Sequence, residues 1–198
     1  MNVAHIFNPE NKDKLISDER QEIFKPENLL ESAGLKEGML VFDVGCGNGF
    51  FSLPAAKIVG SSGIVYGFDL SQEMLDALNK RAEESGIKNI KTFKVLEGGL
   101  DFSKIKSQIN SEVDFLIMAN ILHEVPRLED FLNDYLHWLT EGGRLLIIEW
   151  RKKETEEGPG IEHRLEPKEL FDLLNRKGLK AIFSKIINNN YYLKIFQK

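Results

Sequence analysis

From Leu40 onward, short runs rich in β-branched and aromatic residues alternate with stretches whose apolar positions repeat at helical spacing. Such runs cover Leu40 to Gly45, Ile64 to Leu70, Ile90 to Leu96, Val113 to Asn120 and Arg144 to Trp150. The intervals between them are long enough for crossover helices, so they predict five parallel strands of a doubly wound α/β sheet. The clearest helix runs from Arg127 to Leu139, where Leu128, Phe131, Leu132, Tyr135, Leu136 and Leu139 line one face at the i, i+3, i+4, i+7 interval. Ser71 is placed to cap a helix carrying Met74, Leu75 and Leu78, and Pro167 and Gly178 bracket another.

The alternation breaks at the C-terminus. Leu179 to Ile187 and Tyr191 to Phe196 are both strand-like, and only Asn188, Asn189 and Asn190 separate them. Asparagine tolerates positive φ, so these three predict a tight turn, and the hairpin it closes requires one strand to run against the parallel sheet. Ahead of Leu40 lie a charged stretch to about Phe24 and a short helix that starts at Pro26 and stops at Gly34. This arm reads as a surface helix pair or as a cap packed over a ligand.

Composition narrows the function classes. A chain of 198 residues suits one domain, with 1–39 a helical cap or lid and 40–198 the core. Its net charge of −5 leaves no electrostatic footprint for a polyanion, so no nucleic acid is expected as partner. The single cysteine, Cys46, excludes an internal disulfide, and with the scattered histidines it matches no structural zinc spacing. No metal is expected, and a reducing, cytoplasmic setting fits. The first residues lack the apolar core of a signal peptide, and no stretch approaches the ~20 apolar residues of a membrane span. A monomer or homodimer is expected.

The chemistry concentrates in VFDVGCGNGFF, residues 41–51. Gly45, Gly47 and Gly49 stand at the C-terminal end of a hydrophobic strand and open into a helix, where ligands of open α/β sheets sit. Glycine lets the backbone turn sharply and approach a ligand, and the following helix offers unpaired N–H groups. Asp43, just before the loop, would repel a pyrophosphate but suits a ligand that carries positive charge. The next strand ends at Asp69, at the interval where a carboxylate accepts ribose hydroxyls.

This order resembles the class I S-adenosylmethionine-dependent methyltransferases, whose first motif reads hydrophobic-Asp/Glu-x-Gly-x-Gly-x-Gly. Asp43, Gly45, Gly47 and Gly49 match it without a gap. The stretch FLIMANILHEVPRLEDFLNDYLHWLTEGGRLLIIEW is similar to the ubiquinone/menaquinone-type branch of that family. The resemblance implies a Rossmann-like sheet, mostly parallel with an antiparallel C-terminal hairpin strand. It implies S-adenosyl-L-methionine as cofactor, S-adenosyl-L-homocysteine as product and a small-molecule methyl acceptor as partner. Residue by residue, the Gly45–Gly49 loop with Cys46 would wrap the methionine part, Asp69 the ribose and Leu70 the adenine. Glu97 or Asp101 would read the adenine amino group, and Asn120 would meet cofactor or substrate at the rim.

Methyl transfer needs a base only if the acceptor must lose a proton. Candidate groups near the strand ends are His123, Glu124, Glu149, Arg151, His163 and Arg164, with His123 and His163 the candidate catalytic residues. The segment from Arg151 to Glu166, broken by Gly158, Pro159 and Gly160, reads as a mobile loop whose His163 and Arg164 would contact an acidic or hydroxylated acceptor. An NAD(P)-dependent oxidoreductase is the alternative enzyme, opposed by Asp43 and by a glycine interval of two where a dinucleotide fingerprint needs three. A non-catalytic S-adenosylmethionine-binding partner domain is the alternative outside enzymes. NILH in place of an Asn/Asp-Pro-Pro-aromatic tetrapeptide argues against methylation of DNA bases, and one cysteine argues against arsenite as acceptor.

Overall fold

The structure, a computed structural model, describes residues 17–96, 105–109 and 111–198. Seven strands form one sheet: β1 (Leu40–Val44), β2 (Ile64–Asp69), β3 (Ile90–Lys94), β4 (Val113–Ala119), β5 (Leu139–Trp150), β6 (Lys180–Ile187) and β7 (Tyr191–Gln197). Their spatial order is β3-β2-β1-β4-β5-β7-β6. The first five are parallel, and β7 runs antiparallel to both β5 and β6. The turn expected at the three asparagines closes this hairpin, with Asn188 and Asn189 at φ 43° and 56°.

Chain order reverses direction between β1 and β4. From β1 the chain builds outward through β2 and β3, then returns to add β4 on the other side of β1. A crevice opens at such a switch point, outside the C-terminal ends of the strands. The glycine loop that follows β1 and the segment that follows β4 both lie there.

Alternation along the strands feeds two cores. One face gathers Phe42, Phe68, Leu116, Met118, Leu145, Ile147 and Phe196 against α5 (Leu128–Leu136) and α6 (Pro167–Arg176). The opposite face gathers Val41, Phe115, Ile117, Leu146 and Ile148 against α3 (Ser52–Val59) and the N-terminal arm. The arm is a helix pair, α1 (Asp18–Phe24) and α2 (Pro26–Ser32), with Ser17 capping α1 and Pro26 opening α2. Arg144 of β5 donates to the Ala33 carbonyl at 2.7 Å and ties the end of α2 to the sheet. Helix α4 (Gln72–Glu84) is capped by Ser71, whose hydroxyl accepts from Met74 N–H at 3.3 Å.

One boundary differs from the sequence pattern. The helix expected from Arg127 to Leu139 stops at Leu136, and β5 begins at Leu139 instead of Arg144. Leu139 is fully buried, as the apolar stripe requires, but it pairs with Val113 of β4. The register then jumps so that Phe115 meets Arg144, and the polar residues between, with Gly142 at φ 79°, bulge from the strand.

Candidate active site

The glycine loop is shaped by close contacts as much as by φ. Gly45 (φ 73°) and Cys46 both donate their N–H to the Phe68 carbonyl of β2, at 2.8 and 3.0 Å. A Cβ at Gly45 would overlap the Ile121 side chain, and one at Gly49 (φ 87°) would overlap Leu78 of α4. The loop is thus pressed between α4 and the segment after β4, and only glycine fits. Arg81 of α4 braces it further, donating to the Asn48 carbonyl at 2.6 Å. Cys46 is buried beside Gly67, and burial first, then the charges of Asp43 and Asp69, push its thiol well above the ordinary range. It packs the loop, and its burial disfavours the thiolate.

Two carboxylates flank the loop. Asp69, at the tip of β2, accepts from Gly47 N–H through Oδ2 and from Ser71 N–H through Oδ1, each at 2.8 Å. An ionised carboxylate has about four lone-pair sites, so capacity remains for two hydroxyls. Burial raises its pKa, against the pull of those backbone bonds. Asp43 is 2% exposed and accepts from the Ser52 hydroxyl at 2.5 Å. Burial lifts its pKa from 3.8 to about 7, opposed by the Ser52 hydrogen bond and aided by the charge of Asp69. A cation beside it would reverse that shift.

The segment after β4 closes the crevice. Asn120 takes a left-handed φ of 57° and donates its backbone N–H to the Ile148 carbonyl at 2.7 Å. Its Oδ1 is buried with no hydrogen-bond partner among the described residues, and so suits an N–H donor from a ligand. His123 and Glu149, separate candidates in the sequence, meet here: Nδ1 lies 2.8 Å from Oε2, with side chains 5% and 1% exposed. Glu149 also accepts from Leu122 N–H at 2.7 Å, and Glu124 lies 3.8 Å from His123 Nε2. Leu70, 37% exposed, stands just past Asp69. Glu97 and Asp101 lie outside the described residues.

The expectations for the 151–166 loop need correction. Arg164 is buried and spends its five N–H donors on the loop itself: the carbonyls of Pro159, Arg151, Lys153 and Glu157 and the Thr155 hydroxyl. Its guanidinium also lies 5.1 Å over the Trp150 ring. The loop is therefore pinned to the end of β5, and Arg164 has no donor left for an acceptor. Arg151 is engaged as well, holding the hairpin turn through the Asn189 carbonyl and side chain at 2.9 and 2.7 Å. His163 stands half exposed on a single turn of 3-10 helix, 3.4 Å from Glu162.

Helix α1 packs directly behind the loop. Phe24 meets Phe50, Phe51 and Tyr191 edge to face at 6.0, 6.2 and 4.9 Å, and Arg20 lies 4.6 Å over the Phe50 ring. Residue spacing gave no sign of Ser52 as the partner of Asp43 or of Arg81 as the brace of Asn48, since both contacts depend on how helices dock. The assembled residues fit a cofactor with a flat base, a ribose and a cationic end: Asp69 for hydroxyls, buried Asp43 near positive charge, Asn120 for an N–H, and a glycine backbone between.

Comparison with known proteins agrees. The chain is 31% identical over 124 residues to the ubiquinone/menaquinone biosynthesis C-methyltransferase UbiE of Azotobacter vinelandii, covering 62% of this chain and 47% of that one. It is 27% identical over 118 residues to a probable cobalt-precorrin-6B C(15)-methyltransferase (decarboxylating) of Saccharolobus solfataricus, covering 60% and 56%. The chain thus spans about half the length of these curated relatives. A crystal structure of a SAM-dependent methyltransferase from Aquifex aeolicus superposes with a TM-score of 0.84 at 30% identity, covering 96% of this chain and 98% of that one. The family described as a methyltransferase domain matches residues 35–198. The chain belongs to that family: it is an S-adenosyl-L-methionine-dependent methyltransferase domain.

Proposed function

We propose that this chain transfers the methyl group of S-adenosyl-L-methionine to a small-molecule acceptor, with carbon favoured as the methylated atom. The observation that carries the proposal is the convergence, at the tips of β1, β2 and β4, of the glycine loop, Asp69 and the unsatisfied Oδ1 of Asn120. Two curated relatives of this chain are named as C-methyltransferases, one for ubiquinone/menaquinone biosynthesis and one for a cobalt-precorrin, which supports a small organic acceptor. The net charge of −5 supports it too, since a polyanion would be repelled. Among the described residues, no helix is long and apolar enough to cross a membrane.

When bound, the cofactor supplies a methyl carbon activated by positively charged sulfur. In this reading Asp69 fixes the ribose, the Gly45–Gly49 backbone and Asp43 hold the methionine end, and Leu70 covers the adenine. The N-terminal arm serves as a wall behind the loop. Holding acceptor and methyl group in line removes much of the entropic part of the barrier. His163 is kept as an acceptor contact, and His163→Ala should raise the acceptor KM.

Calorimetric titration with S-adenosylhomocysteine, with NADH as control, tests the proposal. Micromolar binding of S-adenosylhomocysteine that Asp69→Ala weakens by at least about tenfold, the loss of one charge-assisted hydrogen bond, is expected. Binding of NADH, or an Asp69→Ala variant with unchanged affinity, would refute it.

A further inference from the structure

His123 and Glu149 come from segments on either side of α5 and form a buried pair against the glycine loop. Glu149 holds the turn Leu122–Glu124 at two points: Oε1 accepts from Leu122 N–H at 2.7 Å and Oε2 faces His123 Nδ1 at 2.8 Å. Oε2 also accepts from Trp150 N–H at 3.3 Å. A carboxylate can only accept, so Nδ1 carries a proton toward Glu149, and in the neutral imidazole the lone pair is left on Nε2. The turn is short and directly joined to the glycine loop, since Ile121 fills the space where a Cβ on Gly45 would stand. Burying such a pair carries a desolvation cost that apolar side chains of like volume avoid, so packing alone gives no reason for it.

We infer that His123 is the general base of the methyl transfer, that Glu149 is its positioning residue, and that the acceptor is an acid at its reacting site: a phenolic or enolic O–H, or an activated C–H. The inference rests on the methyl-transfer reading above. Nε2 of His123 takes the acceptor's proton. The electron pair so released forms the bond to the methyl carbon, while the pair of the breaking carbon–sulfur bond stays on sulfur and cancels its positive charge. The imidazolium, stabilised by Glu149, then returns its proton to water.

The groups facing His123 set a pH signature. Burial draws the imidazolium's pKa down, but the Glu149 hydrogen bond and the charges of Glu149 and Glu124 outweigh it, with Arg164 opposing them, and the net shift from 6.5 is upward. Tyr192, opposite Glu149 on β7, stays a neutral phenol because burial pushes it up. The base works only when neutral, so kcat rises with pH through this raised value. Removing the Glu149 charge moves the acid limb to lower pH while slowing the plateau rate.

The test uses the full chain and four probes: naphthol, dimedone, benzylamine and tetrahydrothiophene. Transfer to naphthol or dimedone is expected, with His123→Asn lowering kcat roughly 10²–10⁴-fold at unchanged S-adenosylhomocysteine affinity. Glu149→Gln should shift the acid limb downward, and free imidazole should restore turnover to His123→Gly, neither of which a purely structural histidine predicts. Should His123→Asn fail to fold, the Glu149→Gln profile decides alone. Transfer to benzylamine or tetrahydrothiophene only, no transfer to either acidic probe despite S-adenosylhomocysteine binding, or an unmoved acid limb overturns the inference. Absence of S-adenosylhomocysteine binding overturns instead the reading beneath it.

Discussion

Replacing Asp43 by Asn should make the ligand-free protein's stability less dependent on pH. Asp43 is fully enclosed, and its carboxyl titrates near pH 7 where an unfolded aspartate titrates near 3.8. The folded state therefore binds the extra proton between those values, and stability falls as pH rises from 3.8 through 7. At 1.36 kcal/mol per pH unit, the full interval amounts to about 4 kcal/mol, and about 2 kcal/mol of it falls between pH 5 and pH 7. Asparagine cannot ionise, so the stability difference between Asp43→Asn and the parent should grow by that amount over the same range. Any fixed cost of an unmatched amide N–H, about 1–3 kcal/mol, displaces the curve without bending it. Urea unfolding at a series of pH values, with unchanged m, reads the difference directly. Parallel curves from pH 5 to pH 8 would refute the reasoning. A ligand ammonium beside Asp43 keeps the carboxylate ionised, so S-adenosylhomocysteine binding near pH 7 should release part of a proton, seen as a buffer-dependent calorimetric heat.

Gly45→Ala and Gly86→Ala make a matched pair, because both glycines have positive φ but only Gly45 lacks room for a Cβ. Each should lose about 1–3 kcal/mol to backbone strain; only Gly45→Ala should also lose S-adenosylhomocysteine binding, and equal effects in both would refute the close approach of Ile121. Arg164→Met should free the 151–166 loop, read as faster proteolysis near Gly158, while S-adenosylhomocysteine affinity stays unchanged; an unaltered cleavage rate would show that the five hydrogen bonds do not hold it.

Patterns that depend on neighbours along the chain were readable in advance. The strands, the Ser71 cap, the Pro26 and Pro167 starts and the asparagine turn all follow from local periodicity and backbone preference, and all are present. The grouping of Asp43, the glycine loop and Asp69 at the tips of β1 and β2 was legible because all of them fall within one βαβ unit. Errors arose where tertiary contacts outweigh local composition. Residues 151–166 are polar and glycine-broken, the usual marks of a mobile loop, yet one buried arginine satisfies four of its carbonyls. Thr140 to Gly143 look like a turn, yet they lie within β5 because Leu139 already pairs with Val113. His123 and Glu149 were each visible, but their pairing depends on β4 and β5 lying side by side, which spacing does not reveal.

The sheet separates the two titrations that the proposed binding and the proposed transfer would use. Side chains alternate along a strand, so Asp43, between Phe42 and Val44 of the α5/α6 core, points to the α3 face, where Ser52 meets it. Glu149, two residues past Ile147, belongs to the α5/α6 face and stands opposite Tyr192. Neither acid perturbs the other's partner: the groups that shift Asp43 are Ser52 and Asp69, and those that shift His123 are Glu149, Glu124 and Arg164. Asp43→Asn should therefore change how S-adenosylhomocysteine affinity varies near pH 7 and leave the acid limb of kcat in place, while Glu149→Gln does the reverse. The double variant should show both changes, with free energies additive to within ~0.5 kcal/mol, as for sites that share no partner. Coupling well beyond that would mean that Asp43 and the His123–Glu149 pair sense each other through the bound ligand, and that the separation by the sheet fails once the site is filled.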